Sequence, residues 1–412
     1  MLTFDVEKRL PNGRGRAGRI VTPHGAIETP AFIPVGTKAT VKALSPEQVK
    51  SGVGAQAVLA NTYHLYLQPG PDIVREAGGL GKFMGWDGPT FTDSGGFQAF
   101  SLQGGMKERR ANKFGAAPAA AGAGSAGAGG AKAAREAGRG GEEALAKVDD
   151  DGVAFKSVID GSAHRFTPET SVAIQHAIGA DIMFVLDECA PPDAPHAEQA
   201  RAVRRTTAWA ERCLAEHRRL GGEQALFGIV QGGRHEDLRR ESARAVGSLE
   251  LADGTRFDGF GIGGTFEKAD MATAVGWVCD ELPEGKPRHL LGIGEPADLV
   301  LGVENGADTF DCVAPTRMAR NGTAYTGEGR VNILNARFGA DFGPLDPACA
   351  CPACAGYSRA YISHLFRAKE MFGATLLSIH NLHFLVGLVA RLRRAIIEGT
   401  FPELKKELLR SL

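Results

Sequence analysis

Short apolar runs alternate with amphipathic stretches along most of this 412-residue chain. The apolar runs are bounded by turn residues and are too short for helices, which indicates strands. They lie at residues 30–36, 57–61, 89–93, 181–187, 225–231, 257–263, 288–294 and 307–311. Helical periodicity occurs between them, at 45–53, 71–78, 167–179, 197–220, 235–249 and 295–306. This alternation predicts an α/β protein with a parallel (β/α)₈ barrel; an open doubly wound sheet is the alternative.

Polar residues or glycines stand where most of these predicted strands end. In chain order they are Asn61, Asp93, Asp187, Gln231, Gly263 with Gly264, Gly294 and Asp311. A barrel brings the carboxyl ends of its strands to one mouth, where active sites are built. We therefore expect three carboxylates and two amides to converge at that mouth.

The composition is that of an ordinary globular protein, with 43% hydrophobic and 23% charged residues. The formal net charge of −1 argues against a general polyanion binder, so any nucleic-acid contact needs a local basic patch. From residue 355 onward there are nine Lys and Arg but only four Glu, which predicts a phosphate track.

The charged start does not resemble a signal peptide and no stretch approaches a membrane span, so we expect a cytoplasmic protein.

One segment departs from the strand and helix pattern. Between residues 115 and 144, 13 of 30 residues are Ala and 9 are Gly, without apolar periodicity. Interleaved glycines weaken a helix and nothing in the run can bury a face. We predict a flexible insertion over about residues 104–148, with a mobile lid as the alternative.

Cys349, Cys351 and Cys354 form a C-x-C-x-x-C cluster, and His380 follows on a stretch with helical character. Three thiolates and one imidazole match a closed, tetrahedral and structural Zn²⁺ site. Spacing alone leaves His364 and His383 as alternative fourth ligands. A disulfide is the alternative use of the cysteines.

Two of the three further motifs have two interpretations each, and the third excludes one class of enzyme. Residues 259–264 match G-x-G-x-x-G, which indicates either a dinucleotide site or glycines that let a flat ligand approach the barrel mouth. Ser94 is not in a G-x-S-x-G elbow, which disfavours a serine hydrolase. Asp311 precedes Arg317 and Arg320, so it is either an ion-pair partner or a nucleophile that works with Asp93 as acid/base.

Long motifs spread over nearly the whole chain carry a family resemblance. They are NTYHL (61–65), GWDGP (85–89), TDSGGFQ (92–98), IDGSAHRFTPE (159–169), LDEC (186–189), GIVQGG (228–233), HLLGIGEP (289–296) and FDCVAPTRMARNG (310–322). With these motifs the chain resembles the tRNA-guanine transglycosylases, the queuine tRNA-ribosyltransferase family, in its bacterial type.

The resemblance implies a barrel over residues 1–344 and a zinc-binding subdomain with a closing helix over 345–412. It implies exchange of the wobble guanine of tRNA anticodons for a 7-deazaguanine, the prequeuine base, through a covalent enzyme–RNA intermediate in queuosine biosynthesis. The implied partners are tRNA, the free base and a second copy of the chain. Asp311 would be the nucleophile and Asp93 the general acid/base.

The resemblance also assigns the remaining site residues. Those expected to bind the base are Asp93, Ser94, Gly95, Gly96, Phe97, Asp187, Gln231, Gly263, Gly264 and Leu291. Arg317 and Arg320 would contact RNA. Cys349, Cys351, Cys354 and His380 would bind one structural Zn²⁺.

The chain departs from the family pattern at three places. They are the long insertion, Leu291 where methionine is common, and Glu267, which is expected to stand in for the glutamate that orients backbone around the base.

Two other functions remain as alternatives. One is a catalytically silent tRNA-binding subunit, against which the presence of both Asp93 and Asp311 argues. The other is a barrel glycosidase, which would have no use for the zinc cluster.

Overall fold

The structure, a computed structural model, describes residues 2–11, 13–100, 146–264 and 269–411. Its strands in chain order are β1 (Thr3–Arg9), β2 (Arg16–Thr22), β3 (Gly25–Thr29), β4 (Ala31–Pro34), β5 (Val58–Ala60), β6 (Thr90–Thr92), β7 (Ala146–Asp149), β8 (Gly152–Lys156), β9 (Ala163–Phe166), β10 (Ile182–Phe184), β11 (Ala225–Val230), β12 (Gly259–Ile262), β13 (Arg288–Leu290), β14 (Thr309–Cys312), β15 (Thr323–Thr326) and β16 (Gly329–Asn332).

The helices follow in the same way. They are α1 (Thr62–Leu67), α2 (Pro71–Glu76), α3 (Leu80–Met84), α4 (Gly96–Phe100), α5 (Pro168–Ile178), α6 (His196–Leu220), α7 (Glu236–Gly247), α8 (Met271–Glu281), α9 (Pro296–Glu304), α10 (Ala314–Arg320), α11 (Pro352–Gly356), α12 (Arg359–Arg367), α13 (Met371–Glu398) and α14 (Phe401–Ser411).

Eight parallel strands form the central sheet, in the order β4-β14-β13-β12-β11-β10-β6-β5. The two ends of this order meet, because Val35 bridges Leu59 in parallel and the Gly36 N–H donates to the Leu59 carbonyl at 2.7 Å. The sheet is therefore a nearly closed barrel, as predicted, rather than an open doubly wound sheet. Seven of the eight apolar runs contain one whole barrel strand, and the run at 307–311 contains all of β14 except Cys312.

Aromatic side chains fill the barrel interior and explain the glycine-rich motif. An added Cβ at Gly259 would lie 2.4 Å from the Phe227 ring, so the residue must be glycine for that ring to fit. The start of the motif thus serves internal packing. Our interpretation of the whole motif as glycines that admit a ligand is wrong for Gly259.

Helix starts and stops follow from local sequence. Thr167 caps α5 through the Thr170 N–H, Pro168 takes the first helical position, and Gly179 ends the helix in the left-handed conformation. The stretch predicted to be helical at 45–53 is helical over residues 46–52, where Gln48–Gly52 has π-helical geometry.

Two antiparallel sheets flank the barrel. Strands β1–β3 form one, and strands β7–β9 form the other, which packs against α4. The predicted insertion falls largely outside the described residues, since 101–145 are not among them. Its expected end at residue 148 is wrong, because residues 146–148 pair with β8 as part of β7.

Helix α13 crosses the C-terminal part of the chain and packs on α10, α12, β4 and β15. Its length and mean hydropathy of 1.5 would permit a membrane span, so our expectation that no stretch approaches one is wrong on those criteria. However, 61% of that apolar window is buried inside the protein. The helix thus has the burial of a core helix.

A buried ion pair ties β2 to the amino end of β14. The Arg16 side chain is 2% exposed and that of Asp308 0%. The guanidinium donates to both Asp308 oxygens at 2.9 and 2.7 Å. The Arg288 N–H donates to the same carboxylate at 2.8 Å.

We expect Asp308→Ala to lower the free energy of unfolding by about 3–5 kcal/mol, because it leaves a buried guanidinium without its counter-ion. Chemical denaturation would measure this loss. As a matched control, Asp87→Ala removes an exposed carboxylate paired with Lys50 and should leave stability unchanged within error. Equal effects of the two substitutions would contradict the role given to the Arg16–Asp308 pair.

Candidate active site and metal centre

Asp93 follows β6 and is fixed by donors from the neighbouring strand end. The N–H groups of Thr62 and Gly95 donate to Oδ1 at 2.9 and 3.1 Å, and the Asn61 side-chain amide donates to Oδ2. Burial raises the pKa of Asp93 to about 7, although these hydrogen bonds oppose the rise. The carboxyl group is therefore poised to gain or lose a proton near neutral pH.

Asp311 lies within β14, at the opposite side of the same mouth. Its Oδ1 accepts from the Gly292 N–H at 2.8 Å and lies 3.1 Å from His289 Nε2. The Asp311 side chain keeps 13% exposure, so the carboxylate borders open space. Asp93 differs from it in its donors, because both of the Asp93 carboxyl oxygens accept hydrogen bonds.

The two carboxyl groups act on each other. The negative charge of Asp311 is one of the causes that raise the pKa of Asp93. Their strands are separated in the barrel order by β4 and β5. The barrel thus brings together, at one mouth, the two acids that the sequence placed at strand ends.

A third carboxylate, Asp187, forms a hydrogen-bonded cluster with Gln231 and Ser94. The Gln231 side-chain amide donates to Asp187 Oδ2 at 2.5 Å, and the Ser94 hydroxyl donates to Oδ1 at 3.5 Å. Burial raises the pKa of Asp187 to about 6 against the effect of these two donors. The cluster offers a carboxylate acceptor beside an amide, a pair that suits a flat heterocycle with both donors and acceptors.

The other predicted base-binding residues lie around these acids. Gly96 and Phe97 begin α4 directly after Asp93. The Leu291 N–H donates to the Ile262 carbonyl at 3.2 Å, which places Leu291 between the ends of β12 and β13. Gly263 and Gly264 follow β12, whereas Glu267 lies outside the described residues.

Sequence reasoning missed Arg239, a buried cation beneath this part of the mouth. Its guanidinium donates to the carbonyls of Gly233, Val230 and Gly263 at 2.8, 3.3 and 2.7 Å, and so ties the ends of β11 and β12 together. Burial lowers the pKa of Arg239 to about 9. Gly264 has φ +97°, and a Cβ there would lie 2.6 Å from the guanidinium, so both the backbone and the space require glycine.

Basic side chains cluster at the mouth. Burial lowers the pKa of Lys42, and the positive charges of Arg320, Arg317 and Lys38 lower it further. We call these four residues the basic rim. Two of them, Lys38 and Lys42, were not predicted, although their position just after a barrel strand was a usable signal.

Four of the nine basic residues of the predicted C-terminal phosphate track pair with acidic side chains of the protein. Arg393 donates to Glu7 and Glu28, and Lys405 contacts Glu304 at 2.6 Å. Arg359 and Arg391 also pair with acids, Asp341 and Glu407. Much of the positive charge there therefore stabilises the fold, and the basic rim is the better candidate for RNA contact.

Cys349, Cys351, Cys354 and His380 form one compact group, with their donor atoms all within 4.8 Å of one another. His380 Nδ1 lies 3.3 Å from Cys354 Sγ, and its Nε2 donates to the Tyr325 carbonyl at 2.6 Å. That second bond fixes the ring with Nδ1 toward the cysteines, as in metal-binding histidines. Hydrogen bonds from the other two cysteines pull the pKa of Cys349 below its ordinary value.

Comparison with known proteins identifies the family of this chain. A sequence model of the family described as Queuine tRNA-ribosyltransferase matches residues 12–117 and 139–412. The chain therefore belongs to the queuine tRNA-ribosyltransferase family. The match leaves out residues 1–11 and, inside the chain, residues 118–138, which lie within the predicted insertion.

Three curated relatives are named Queuine tRNA-ribosyltransferase. That of Desulforudis audaxviator is 47% identical over 99% of this chain and 98% of its own length. That of Moorella thermoacetica is 47% identical over 98% and 95%. That of a Roseiflexus species is 47% identical over 99% of both.

The raised pKa of Asp93 predicts a pH dependence of stability. Between its unfolded value near 3.8 and its folded value of about 7, the folded state binds the extra proton, so the free energy of unfolding falls as pH rises. The side chain in Asp93→Asn does not titrate, so this fall in the free energy of unfolding with pH does not occur in the variant. The variant's stability relative to the wild type should therefore increase from about pH 4 to about pH 7 and then level off.

Urea denaturation at a series of pH values would measure that difference. Asp87→Asn is the control, because its exposed carboxylate has a pKa lowered by the hydrogen bond from Lys50 and does not titrate in this range. A difference between Asp93→Asn and wild type that stays flat with pH would contradict the assigned pKa.

Proposed function

We propose that this protein is a tRNA-guanine transglycosylase that exchanges the wobble guanine of tRNA anticodons for the prequeuine base in queuosine biosynthesis. It would act as a pentosyltransferase without a redox or nucleotide cofactor, since one N-glycosidic bond replaces another. The supporting observation is the pair of carboxyl groups at one mouth, Asp93 with a pKa of about 7 and Asp311 held by N–H donors. We also propose a cytoplasmic location.

In the first step, an Asp311 oxygen bonds to the ribose anomeric carbon while the bond from that carbon to guanine N9 breaks. The electron pair leaves with guanine, which takes a proton from Asp93. In the second step, Asp93 takes the proton from N9 of the incoming base, and that nitrogen displaces Asp311. Two inversions at one carbon keep the nucleoside β-linked.

The Asp187 cluster supports recognition of the base. The purine's amidine-like edge presents N–H donors, which Asp187 would accept, while Gln231 or the Gly263–Gly264 backbone would serve the carbonyl. Ser94, Gly95, Gly96, Phe97 and Leu291 would line the same site. A glycosidase acting on sugars would have no need for this cluster.

The basic rim supports binding of the anticodon loop. Lys38 and Lys42 follow β4, and Arg317 and Arg320 follow its neighbour β14, so the four would contact the phosphates and bases that flank the target nucleotide. The target must leave its stack to reach Asp311, which a loop permits at low cost.

For the metal group we propose one structural Zn²⁺ held by Cys349, Cys351, Cys354 and His380. Three thiolates and one imidazole match its tetrahedral preference and leave no position for a reacting water. The ion would connect the cysteine loop to α13. The corresponding division of the chain is a catalytic barrel over 1–344 and a zinc-binding subdomain over 345–412.

A homodimer is part of the same proposal, with the zinc-binding subdomain at its interface. Large apolar side chains are exposed there, Met371 at 86% and Tyr361 at 42%, and Phe342, three residues before the subdomain begins, is exposed at 83%. Exposed apolar side chains grouped in this way are typical of a protein–protein contact.

Asp311→Ala should abolish both covalent RNA capture and incorporation of radiolabelled guanine into tRNA, because it removes the nucleophile. Asp93→Asn should keep tRNA affinity but slow exchange by roughly 10²–10⁴-fold, since it removes the group that transfers the proton. Denaturing gels, filter-bound radioactivity and tRNA binding assays would measure these effects. Competition with each unlabelled deazaguanine would then identify the preferred base.

Asp72→Ala is the control for these substitutions, because Asp72 is an exposed carboxylate that pairs with Arg75 away from the mouth. It should exchange guanine at the wild-type rate. Normal turnover by Asp311→Ala would refute the nucleophile, and unchanged exchange by Asp93→Asn would refute the acid/base.

Cys351→Ser should lose stoichiometric zinc and lower the melting temperature, since Cys351 is buried within the four-donor group. Elemental analysis and thermal unfolding would measure the two effects. Cys279→Ser changes another buried cysteine outside the group and should keep its zinc. A fully metallated Cys351→Ser protein would contradict the site.

A further inference from the structure

His289 is a polar residue in the aromatic interior of the barrel. Its side chain is 0% exposed, and its ring centroid lies 5.7 Å from that of Phe91 and 5.1 Å from that of Phe184. A buried imidazole in such surroundings needs partners for both nitrogens. Nδ1 lies 2.8 Å from Thr309 Oγ1, and Nε2 lies 3.1 Å from Asp311 Oδ1.

Strand geometry explains why one ring reaches both residues. His289 on β13 pairs in register with Thr309 on β14, and Asp311 lies two residues further along that strand. Side chains two residues apart project from the same face of a strand. The ring therefore contacts two consecutive inward-facing side chains of its neighbour strand.

The chemistry of the partners fixes the hydrogens. A carboxylate only accepts hydrogen bonds, so Nε2 must carry the hydrogen that faces Asp311. In the neutral ring Nδ1 then accepts from the Thr309 hydroxyl, which can rotate to donate. Asp311 thus selects the tautomer, and Thr309 supplies the hydrogen that the unprotonated Nδ1 accepts.

The contacts of Asp311 differ between its two oxygens. Oδ1 receives both the His289 Nε2–H and the Gly292 N–H. Among the residues that the structure describes, none forms a hydrogen bond to Oδ2. One oxygen is therefore anchored, and the other faces the mouth without a bonded partner from the described chain.

We propose that His289 is a positioning residue that holds Asp311 by Oδ1 and so reserves Oδ2 as the nucleophilic oxygen. This inference rests on the proposed function. When Oδ2 bonds to the anomeric carbon, the bond to guanine N9 breaks and its electron pair leaves with the base. His289 keeps its proton throughout, and the proton on the departing base comes from Asp93.

Single-turnover covalent capture of tRNA tests the proposal. A hydrogen bond to a charged group contributes about 1.5–3 kcal/mol, so His289→Phe should slow capture by about 10- to 150-fold. The Kd for tRNA should not change, because the ring lies beneath the mouth. His289→Gln can still present an amide N–H to Asp311 and should recover most of the rate.

Two further variants separate positioning from packing. Phe184→Leu alters the same aromatic layer without a hydrogen bond to Asp311 and should slow capture much less than His289→Phe. Thr309→Val nearly preserves shape but removes the hydroxyl, so it should give a smaller loss with the fold intact. Equal capture rates for wild type, His289→Phe and Thr309→Val would overturn the proposal.

A measurement that needs no exchange activity completes the test. In ¹⁵N-histidine-labelled protein, the resonance lost in His289→Gln should show protonated Nε2 and unprotonated Nδ1, and it should shift in Asp311→Asn. A ring protonated only at Nδ1, or one insensitive to Asp311→Asn, would refute the contact. Failure of the wild type to exchange guanine would instead refute the proposed function, whatever the resonance shows.

Discussion

Closure of the parallel sheet is the constraint on which the site depends. The contact between Gly36 and Leu59 joins the first two barrel strands and completes the circle. Because all eight strands run in one direction, closure gathers their carboxyl ends at one mouth. Asp93 and Asp311 are far apart in sequence and interact only for this reason. An open sheet would have left β4 and β5, and the acids beyond them, at separate edges.

The mouth also gives chemically identical side chains different properties. Burial raises the pKa of Asp93 to about 7 and that of Asp187 to about 6. Asp311 is held by one oxygen, which accepts from the Gly292 N–H and lies 3.1 Å from His289 Nε2. A glycosyl exchange needs one carboxyl group that moves a proton and another that forms a bond to carbon. The surroundings of each strand end, more than the residue type, therefore determine which carboxyl group would transfer the proton and which would bond to carbon.

The sequence predicted those parts of the fold that local pattern controls. The eight strands followed from short apolar runs, the start of α5 from Thr167 and Pro168, and the metal cluster from cysteine spacing. Contacts between distant segments carry no such pattern. The run that contains His289 reads as an ordinary strand, and Arg239 reads as one more arginine on an amphipathic helix. Only the folded chain shows their buried partners.

Hydrogen bonds from α13 connect the C-terminal subdomain to the mouth of the barrel. His380 faces the cysteines, and the next residue, Asn381, donates to the carbonyls of Pro315 and Thr323 at 3.1 and 2.9 Å. Pro315 lies in α10, the helix that carries Arg317 and Arg320 and begins just after Asp311. A metal that fixes α13 would therefore also fix the helix beside the proposed nucleophile. In this arrangement a structural ion distant from the proposed chemistry would help to set the position of the proposed RNA-binding residues.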